Sequence, residues 1–421
     1  GYIAPKYDEN GLPDFDSVKA VFRKVEELIK NENIISVWSI AGGGVAEGIF
    51  KMSLGNRIGA KLEALTDEEL FTPVYGGFVF EIDREENLEG VRIIGETIPE
   101  YEIICGDVKL DIAELEDKWN SKLEPIFRNT TPAEKAPEII AYDQGCDIVC
   151  APANKTAKPK ILIPVFPGTN GEYDMADAFN RNGGESEIFV IRNLNAQAME
   201  ESVEAFAKLI EKSQIVAIPG GFSGGDEPEG SGKFINAFFR NPRVKDAVND
   251  MLYRRDGLML GICNGFQALI KLGLVPFGEI KPLSADSPTL TFNTIGRHQS
   301  QMVYTKICTD KSPWLMHCKV GETHTVPISH GEGRFVAKEE VIRKLIENGQ
   351  VATQYVDLNG NPTMELAYNP NGSMYAIEGI ISPDGRVLGK MGHSERISDE
   401  RCAVNVEGNK LQPLFKGGVD Y

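Results

Sequence analysis

Residues 258–267 read LMLGICNGFQ. An apolar run passes directly into Gly261-Ile262-Cys263-Asn264-Gly265, and a helix-like pattern begins at Phe266 with no spacer. A strand that becomes a helix within so few residues needs a sharp turn, and small residues on both sides of Cys263 permit one. A side chain on that corner lies beneath the first turn of the helix. There, unpaired backbone N–H groups and the helix dipole favour a thiolate and can hold an oxyanion. The spacing points to Cys263 as a nucleophile. The plainer reading, a small hydrophobe in a core strand, is the usual fate of a free cysteine, but it leaves the flanking glycines without a purpose.

A thiol nucleophile needs a base, and the base needs an orienting group. The chain has five histidines: His298, His317, His324, His330 and His393. His393 lies in VLGKMGHSER (387–396), again just past an apolar run, with Glu395 two positions on. Residues i and i+2 of an extended segment face the same way, so Glu395 can reach the imidazole and set its tautomer. A third stretch, IVAIPGGFSGGD (215–226), is an apolar strand that ends in a glycine-rich loop. Such a loop can turn N–H groups toward an anion. It is a candidate for half of an oxyanion hole, with one donor from Gly220, Gly221 or Phe222 and the other from the N–H of Asn264.

In this order PGGFS, GICNGFQ and MGHSER resemble the class I, triad-type glutamine amidotransferases. Further segments narrow the resemblance to the glutaminase domain of the formylglycinamide ribonucleotide amidotransferase (phosphoribosylformylglycinamidine synthase) family: VFPGTNGEYDMADAF (165–179), GGFSGGD (220–226), FNTIGRHQSQMVYTKI (292–307) and ISHGEGRF (328–335). It covers the chain from about Lys160 onward. The resemblance implies Cys263 as nucleophile, His393 as base and Glu395 as orienter. It also implies that Gln267 lies at the substrate amide and that Asn293 and the Gly296-Arg297-His298 loop cover the amino-acid end of L-glutamine. The loop departs from the family pattern, since His298-Gln299 stands where Phe-Glu is common. His330, in HGEGRF, is a rival base or, by resemblance, an interface or positioning residue.

The first part of the chain is a different object. SVWSIAGGGVAEGIFKMSLGNRIGAKLEAL (36–65) has a strand-like start, three glycines at 42–44 and a helical stretch. With ELFTPVYGGFVFEI (69–82), VRIIGETI (91–98) and VKLDIAELEDKWNSKLEPIF (108–127), it resembles the C-terminal half-domain of the aminoimidazole ribonucleotide synthetase superfamily. In the family this module precedes the glutaminase domain. The glycine triplet lacks the GxGxxG fingerprint, so it reads first as a close helix–strand approach and only second as a phosphate loop. The resemblance also implies a missing N-terminal synthase portion of the same polypeptide, with ATP and Mg2+ bound there and no cofactor or metal in this chain. Gly1 in place of an initiator Met agrees with a C-terminal fragment.

Composition bounds these readings. A net charge of −18 opposes nucleic-acid binding. There is no apolar run of the roughly 20 residues that span a bilayer and no secretory signal. Seven scattered cysteines suit a reduced, cytoplasmic setting. Cys146 and Cys150 form CxxxC with no second pair, which speaks against zinc.

The expected organisation is a half-domain over 1–130, a linker over 131–159 with a short ordered piece from Glu138 to Val149, and a glutaminase domain over 160–421. In the last, apolar runs at 161–166, 186–191, 215–218 and 258–262 alternate with helical patterns at 173–182, 199–212, 233–239 and 264–272. That alternation predicts an α/β fold, a flavodoxin-like, mostly parallel sheet wrapped by helices, with chemistry at the carboxyl ends of the strands. Shorter strands at 301–309, 325–329, 351–357 and 374–381 would return the chain to His393. Another class I amidotransferase, a cysteine hydrolase on a similar sheet and a non-catalytic scaffold remain the alternatives.

Overall fold

A computed structural model describes residues 1–63, 65–83, 88–132, 134–145, 156–225, 231–398 and 406–421. The chain divides into two compact units, Gly1–Arg128 and Asn129–Tyr421.

The smaller unit has two sheets. Strands Tyr2–Ile3, Phe78–Ile82 and Ile34–Ser39 form one, and Gly95–Ile98, Gly59–Leu62, Glu102–Cys105 and Val108–Asp111 the other. The glycine triplet leads into a helix, Gly44–Asn56. Glu47 folds back so that its carboxylate accepts the N–H of Gly43 at 2.9 Å. That carboxylate stands where a phosphate would have to bind, which favours the packing reading of the triplet.

The larger unit is built on one nine-stranded sheet. Its strands are β1 (Lys160–Val165), β2 (Glu185–Val190), β3 (Ile215–Ile218), β4 (Leu258–Ile262), β5 (Gln299–Ile307), β6 (Thr323–His330), β7 (Val351–Val356), β8 (Ile377–Ile381) and β9 (Val387–Lys390). Their spatial order is β6-β5-β7-β8-β9-β4-β3-β1-β2. From β9 to β2 neighbouring strands are parallel, and from β9 to β6 antiparallel. The late strands therefore extend the parallel sheet rather than make a separate layer. β3, β4, β8 and β9 are buried along their whole length, as strands covered on both faces must be.

Helices α1 (Glu172–Arg181), α2 (Ala196–Ile210), α3 (Lys233–Phe239), α4 (Pro242–Tyr253) and α5 (Asn264–Leu272) link the parallel strands. α4 was not expected from the apolar pattern, although Asn241 caps it through Arg243 N–H and Pro242 opens it. A helix over Glu339–Glu347 was missed as well. The strand expected over 374–381 starts only at Ile377, because Tyr375 and Ala376 take positive φ in a short turn.

Part of the expected linker is tied into this unit. Ile140 is buried in its core and donates its N–H to Gln354 Oε1 at 2.9 Å. Tyr142 N–H reaches Cys308 O at 2.8 Å. Cys146, Cys150 and the rest of 146–155, within the linker expected over 131–159, lie outside the described residues.

Candidate active site

Cys263 occupies the corner between β4 and α5 with φ 53° and ψ −105°. Side chains rarely adopt that region, and it costs about 1–3 kcal/mol. Packing around the turn imposes it. A Cβ on Gly265 would lie 2.1 Å from Ile218 O, and one on Gly261 would lie 2.7 Å from Gly265 C, so neither position admits a side chain. α5 is buried on all sides except at Lys271, and its Phe266 ring occupies the space that a Cβ on Gly389 of β9 would need. The helix that follows Cys263 thus interlocks with the strand that leads to His393.

β4 and β9 are parallel neighbours, with Gly261 opposite Gly389 and Ile262 opposite Lys390. Their carboxyl ends deliver Cys263 and His393 to one place. The Cys263 N–H donates to Lys390 O at 2.9 Å, and the His393 N–H to Pro327 O at 2.8 Å. Gly220 lies between the two side chains: a Cβ there would be 2.8 Å from His393 Cε1 and 3.5 Å from Cys263 Cβ. Glu395 Oε1 is 2.5 Å from His393 Nδ1, and both residues are buried. The other ring nitrogen, Nε2, is buried with no hydrogen-bond partner among the described residues.

The electrostatics follow. Burial alone would push the His393 imidazole down, but the Glu395 carboxylate and the Cys263 sulfur outweigh it and hold the group at about 9. Burial would raise Glu395, yet the charge and hydrogen bond of His393 keep its carboxyl below the usual range. His330 behaves oppositely. Burial, reinforced by the neighbouring His393 and His298, pushes it down to about 3. It is an uncharged ring with both nitrogens buried and without a partner among the described residues.

Cys263 opens onto a pocket of about 250 Å³ lined by Gly221, Phe222, Gln267, Arg297, His298 and Glu332, among others. Gln267 is held by Asn264 Nδ2, which donates to its Oε1 at 2.9 Å, and donates its own Nε2 to Glu332 O. Gly296 lines the pocket at the turn where its N–H donates to Asn293 O at 2.8 Å. Arg297 Nη1 is buried without a partner among the described residues, while Nη2 donates to Asn129 Oδ1. His298 Nε2 is 3.1 Å from Ser329 Oγ, and its ring lies over Phe222 at 6.3 Å.

Two expectations need correction. The Phe222 N–H already donates to Gly168 O at 2.8 Å, which leaves Gly220 and Gly221 as the loop's candidate oxyanion donors. Gly221, at φ 121°, needs its glycine both for that angle and because Gly168 O would lie 2.4 Å from a Cβ. Asn293 does not line the pocket. Its Nδ2 donates to Arg297 O and His330 O, each at 2.9 Å, and its Oδ1 accepts from Gly333 N–H at 3.3 Å. It shapes the 293–297 loop through the backbone.

Glu332 and Ser231 escaped the sequence reading. Glu332 Oε2 accepts the N–H and hydroxyl of Ser231 at 2.9 and 3.0 Å, which fastens the end of the glycine-rich loop beside the pocket. HGEGRF carried that signal, but the histidine drew attention from the glutamate.

The chain resembles proteins of known kind over this unit. It is 36% identical over 286 residues to the phosphoribosylformylglycinamidine synthase subunit PurQ of Methanococcus maripaludis, covering 62% of this chain and 97% of that one. The PurQ subunits of Aquifex aeolicus and Treponema denticola are 32% and 34% identical, over 57% and 63% of this chain and 92% and 99% of theirs. Among solved structures, that of PurLQS from Thermotoga maritima is similar at 25% identity and a TM-score of 0.45, over 63% of this chain and 99% of that chain. Residues 158–421 match the model of the CobB/CobQ-like glutamine amidotransferase domain. A cysteine turn, a buried His–Glu pair and a matching domain over well over half its length agree: the chain belongs to the CobB/CobQ-like glutamine amidotransferase family.

Proposed function

We propose that this chain is the glutaminase of phosphoribosylformylglycinamidine synthase in purine biosynthesis. It hydrolyses L-glutamine through a cysteinyl thioester and supplies ammonia for the ATP-dependent conversion of formylglycinamide ribonucleotide to formylglycinamidine ribonucleotide. The observation that carries the chemistry is Cys263 at positive φ beside a buried His393–Glu395 pair. The PurQ relatives, matched over nearly their full length, support the pathway.

In this reading the Cys263 thiolate attacks the side-chain carbonyl carbon of glutamine. The oxyanion is held by the N–H of Asn264 at the start of α5, where backbone donors have no intrahelical acceptor, and by a donor from the Gly220–Gly221 pair. His393, charged as imidazolium, passes its proton to the departing nitrogen, so that ammonia leaves and a thioester remains. The neutral imidazole then takes a proton from water, whose oxygen attacks the thioester and releases glutamate and the thiolate. Arg297, which lines the pocket, is in this reading the group that meets the substrate carboxylate.

ATP, Mg2+ and the ribonucleotide belong in this reading to a synthase portion that consumes the ammonia, and the working compartment is the cytoplasm. Gly1–Arg128 is read as the aminoimidazole ribonucleotide synthetase-like C-terminal half-domain, on the strength of its sequence resemblance. Among the described residues no cluster of His, Cys, Asp and Glu is suited to a metal ion, and no helix is long and apolar enough to cross a membrane.

Incubation with a diazoketone analogue of glutamine, followed by peptide mass spectrometry, tests the site. One adduct on the peptide containing Cys263, suppressed by glutamine, is expected. An adduct that glutamine does not suppress would favour a cysteine hydrolase of another kind. Ammonia release that supports another acceptor but not formylglycinamide ribonucleotide would favour another amidotransferase.

A further inference from the structure

Beneath the triad lies an ion pair that the reaction does not use directly. Lys390 and Glu378 are each about 1% exposed, and Lys390 Nζ is 3.7 Å from Glu378 Oε1. Burying two charges is costly unless their remaining hydrogen-bonding capacity is met, and a well-packed apolar pair would often serve stability as well. The partners of this pair indicate another use. Glu378 Oε1 accepts the N–H of Gly392 at 2.5 Å, and Lys390 Nζ donates to the carbonyl of the same Gly392 at 3.2 Å. Nζ also donates to Ser394 Oγ at 2.8 Å, and that hydroxyl donates to Gln412 Oε1 at 2.7 Å. Thr353 Oγ1 donates to the other oxygen of Glu378.

Both polar groups of Gly392 and the side chain of Ser394 are thus gripped from below, and the residue between them is His393. A side chain at Gly392 would crowd this arrangement, since a Cβ would lie 2.8 Å from Val326 Cγ2 and 3.0 Å from Glu378 Oε1. The His393 backbone is fixed from above as well, by its N–H to Pro327 O.

We infer that the buried Lys390–Glu378 pair is a positioning device for the base: it clamps the peptide segments on either side of His393 so that Nε2 is presented to Cys263 while Nδ1 meets Glu395. Neither residue touches substrate or the reacting atoms. The inference rests on the reading of His393 as the base, and it predicts that loss of the clamp disorders proton transfer rather than glutamine binding.

The test uses the full chain with Lys390→Met, Glu378→Gln, the double variant and Ser394→Ala. The double variant removes both charges at nearly constant volume, and Ser394→Ala removes one contact without uncovering a charge, so these two keep the test open if a single variant does not fold. Two quantities are read: the pH profile of Cys263 carboxymethylation by iodoacetate, and kcat and KM for glutaminase activity. In the double variant, carboxymethylation at pH 7 is expected to slow by about tenfold or more and its pH profile to move, with kcat falling about as far and KM changing less than about threefold. Ser394→Ala is expected to show the same pattern at a few-fold scale. A folded double variant with wild-type carboxymethylation at every pH overturns the inference. A wild-type chain that fails to hydrolyse glutamine would instead count against the function, because the carboxymethylation profile does not depend on glutamine turnover.

Discussion

The backbone N–H of Cys263 donates to the carbonyl of Lys390 at 2.9 Å, so the turn that carries Cys263 is bonded to the strand that leads to His393. One parallel pairing thus brings Cys263 and His393 together. Cys263→Ala is expected to abolish glutamine-dependent product formation while leaving the fold intact, and enzyme assembled with its synthase should still make product from free ammonia. Equal loss with both nitrogen sources would remove Cys263 from its role.

The charge on His393 has consequences for pH. Its value of about 9 in the folded chain lies above the ordinary 6.5. It therefore contributes stability that is fully present below about 6.5 and is lost as pH rises through about 9. Glu395 has the opposite sign. Its lowered value contributes stability above the ordinary 4.5, lost as pH falls through its folded value. Denaturant midpoints should fall more steeply between pH 7 and about pH 10 for the wild type than for His393→Asn. Parallel curves would contradict a charged imidazole at neutral pH.

Glu395→Gln removes the charge that opposes burial of the imidazolium. The alkaline limb of the Cys263 alkylation profile is expected to move from near 9 toward the ordinary histidine range, with glutaminase activity reduced but retained. Alkylation followed by mass spectrometry across pH reads this directly, and an unmoved limb would mean that Glu395 only orients the ring.

His393→Asn should be nearly as damaging as loss of Cys263, because a nucleophile and its base act as one unit. His330, neutral and held at about 3, is a poor proton acceptor at neutral pH, so His330→Asn should cost less than about tenfold in kcat. Single-turnover thioester formation with the two variants separates them, and a more severe defect in His330→Asn would reverse the assignment.

Gly265→Ala places a Cβ 2.1 Å from the carbonyl of Ile218, a backbone atom of β3 that cannot swing aside. A loss of about 1–3 kcal/mol or more in unfolding free energy is expected, together with slower alkylation of Cys263 as the corner opens. Gly42→Ala, where nothing lies within 4 Å of the added carbon, is the control and should leave both unchanged. Denaturation at pH 7 that failed to distinguish them would show that the turn is looser than its packing indicates.

The corner at Cys263 was legible because its cause is local. Two glycines bracket a cysteine at a strand–helix junction, and both are required by contacts of the turn itself or of the strand beside it. The His393–Glu395 contact was expected from an extended segment, but Ser394–Arg396 forms a short 3-10 turn, and that turn brings Glu395 Oε1 to Nδ1. Periodicity likewise placed the parallel strands and most of their helices, and α4, although not predicted, carries the same signal, with Val244, Ala247, Val248, Met251 and Leu252 at helical spacing behind the Asn241 cap.

What tertiary structure decided is where each polar group spends its hydrogen bonds. Asn293 stays off the pocket lining with its amide claimed by the carbonyls of Arg297 and His330, and Phe222 is lost as a donor because Gly168 accepts its N–H. Glu332 reaches Ser231, and the Lys390–Glu378 pair grips the residues around His393, through partners supplied by other strands and loops. A residue's type announces what bonds it can make, and local spacing announces which way it turns. Which bonds it makes depends on groups brought near by the sheet order, which no local stretch of sequence encodes.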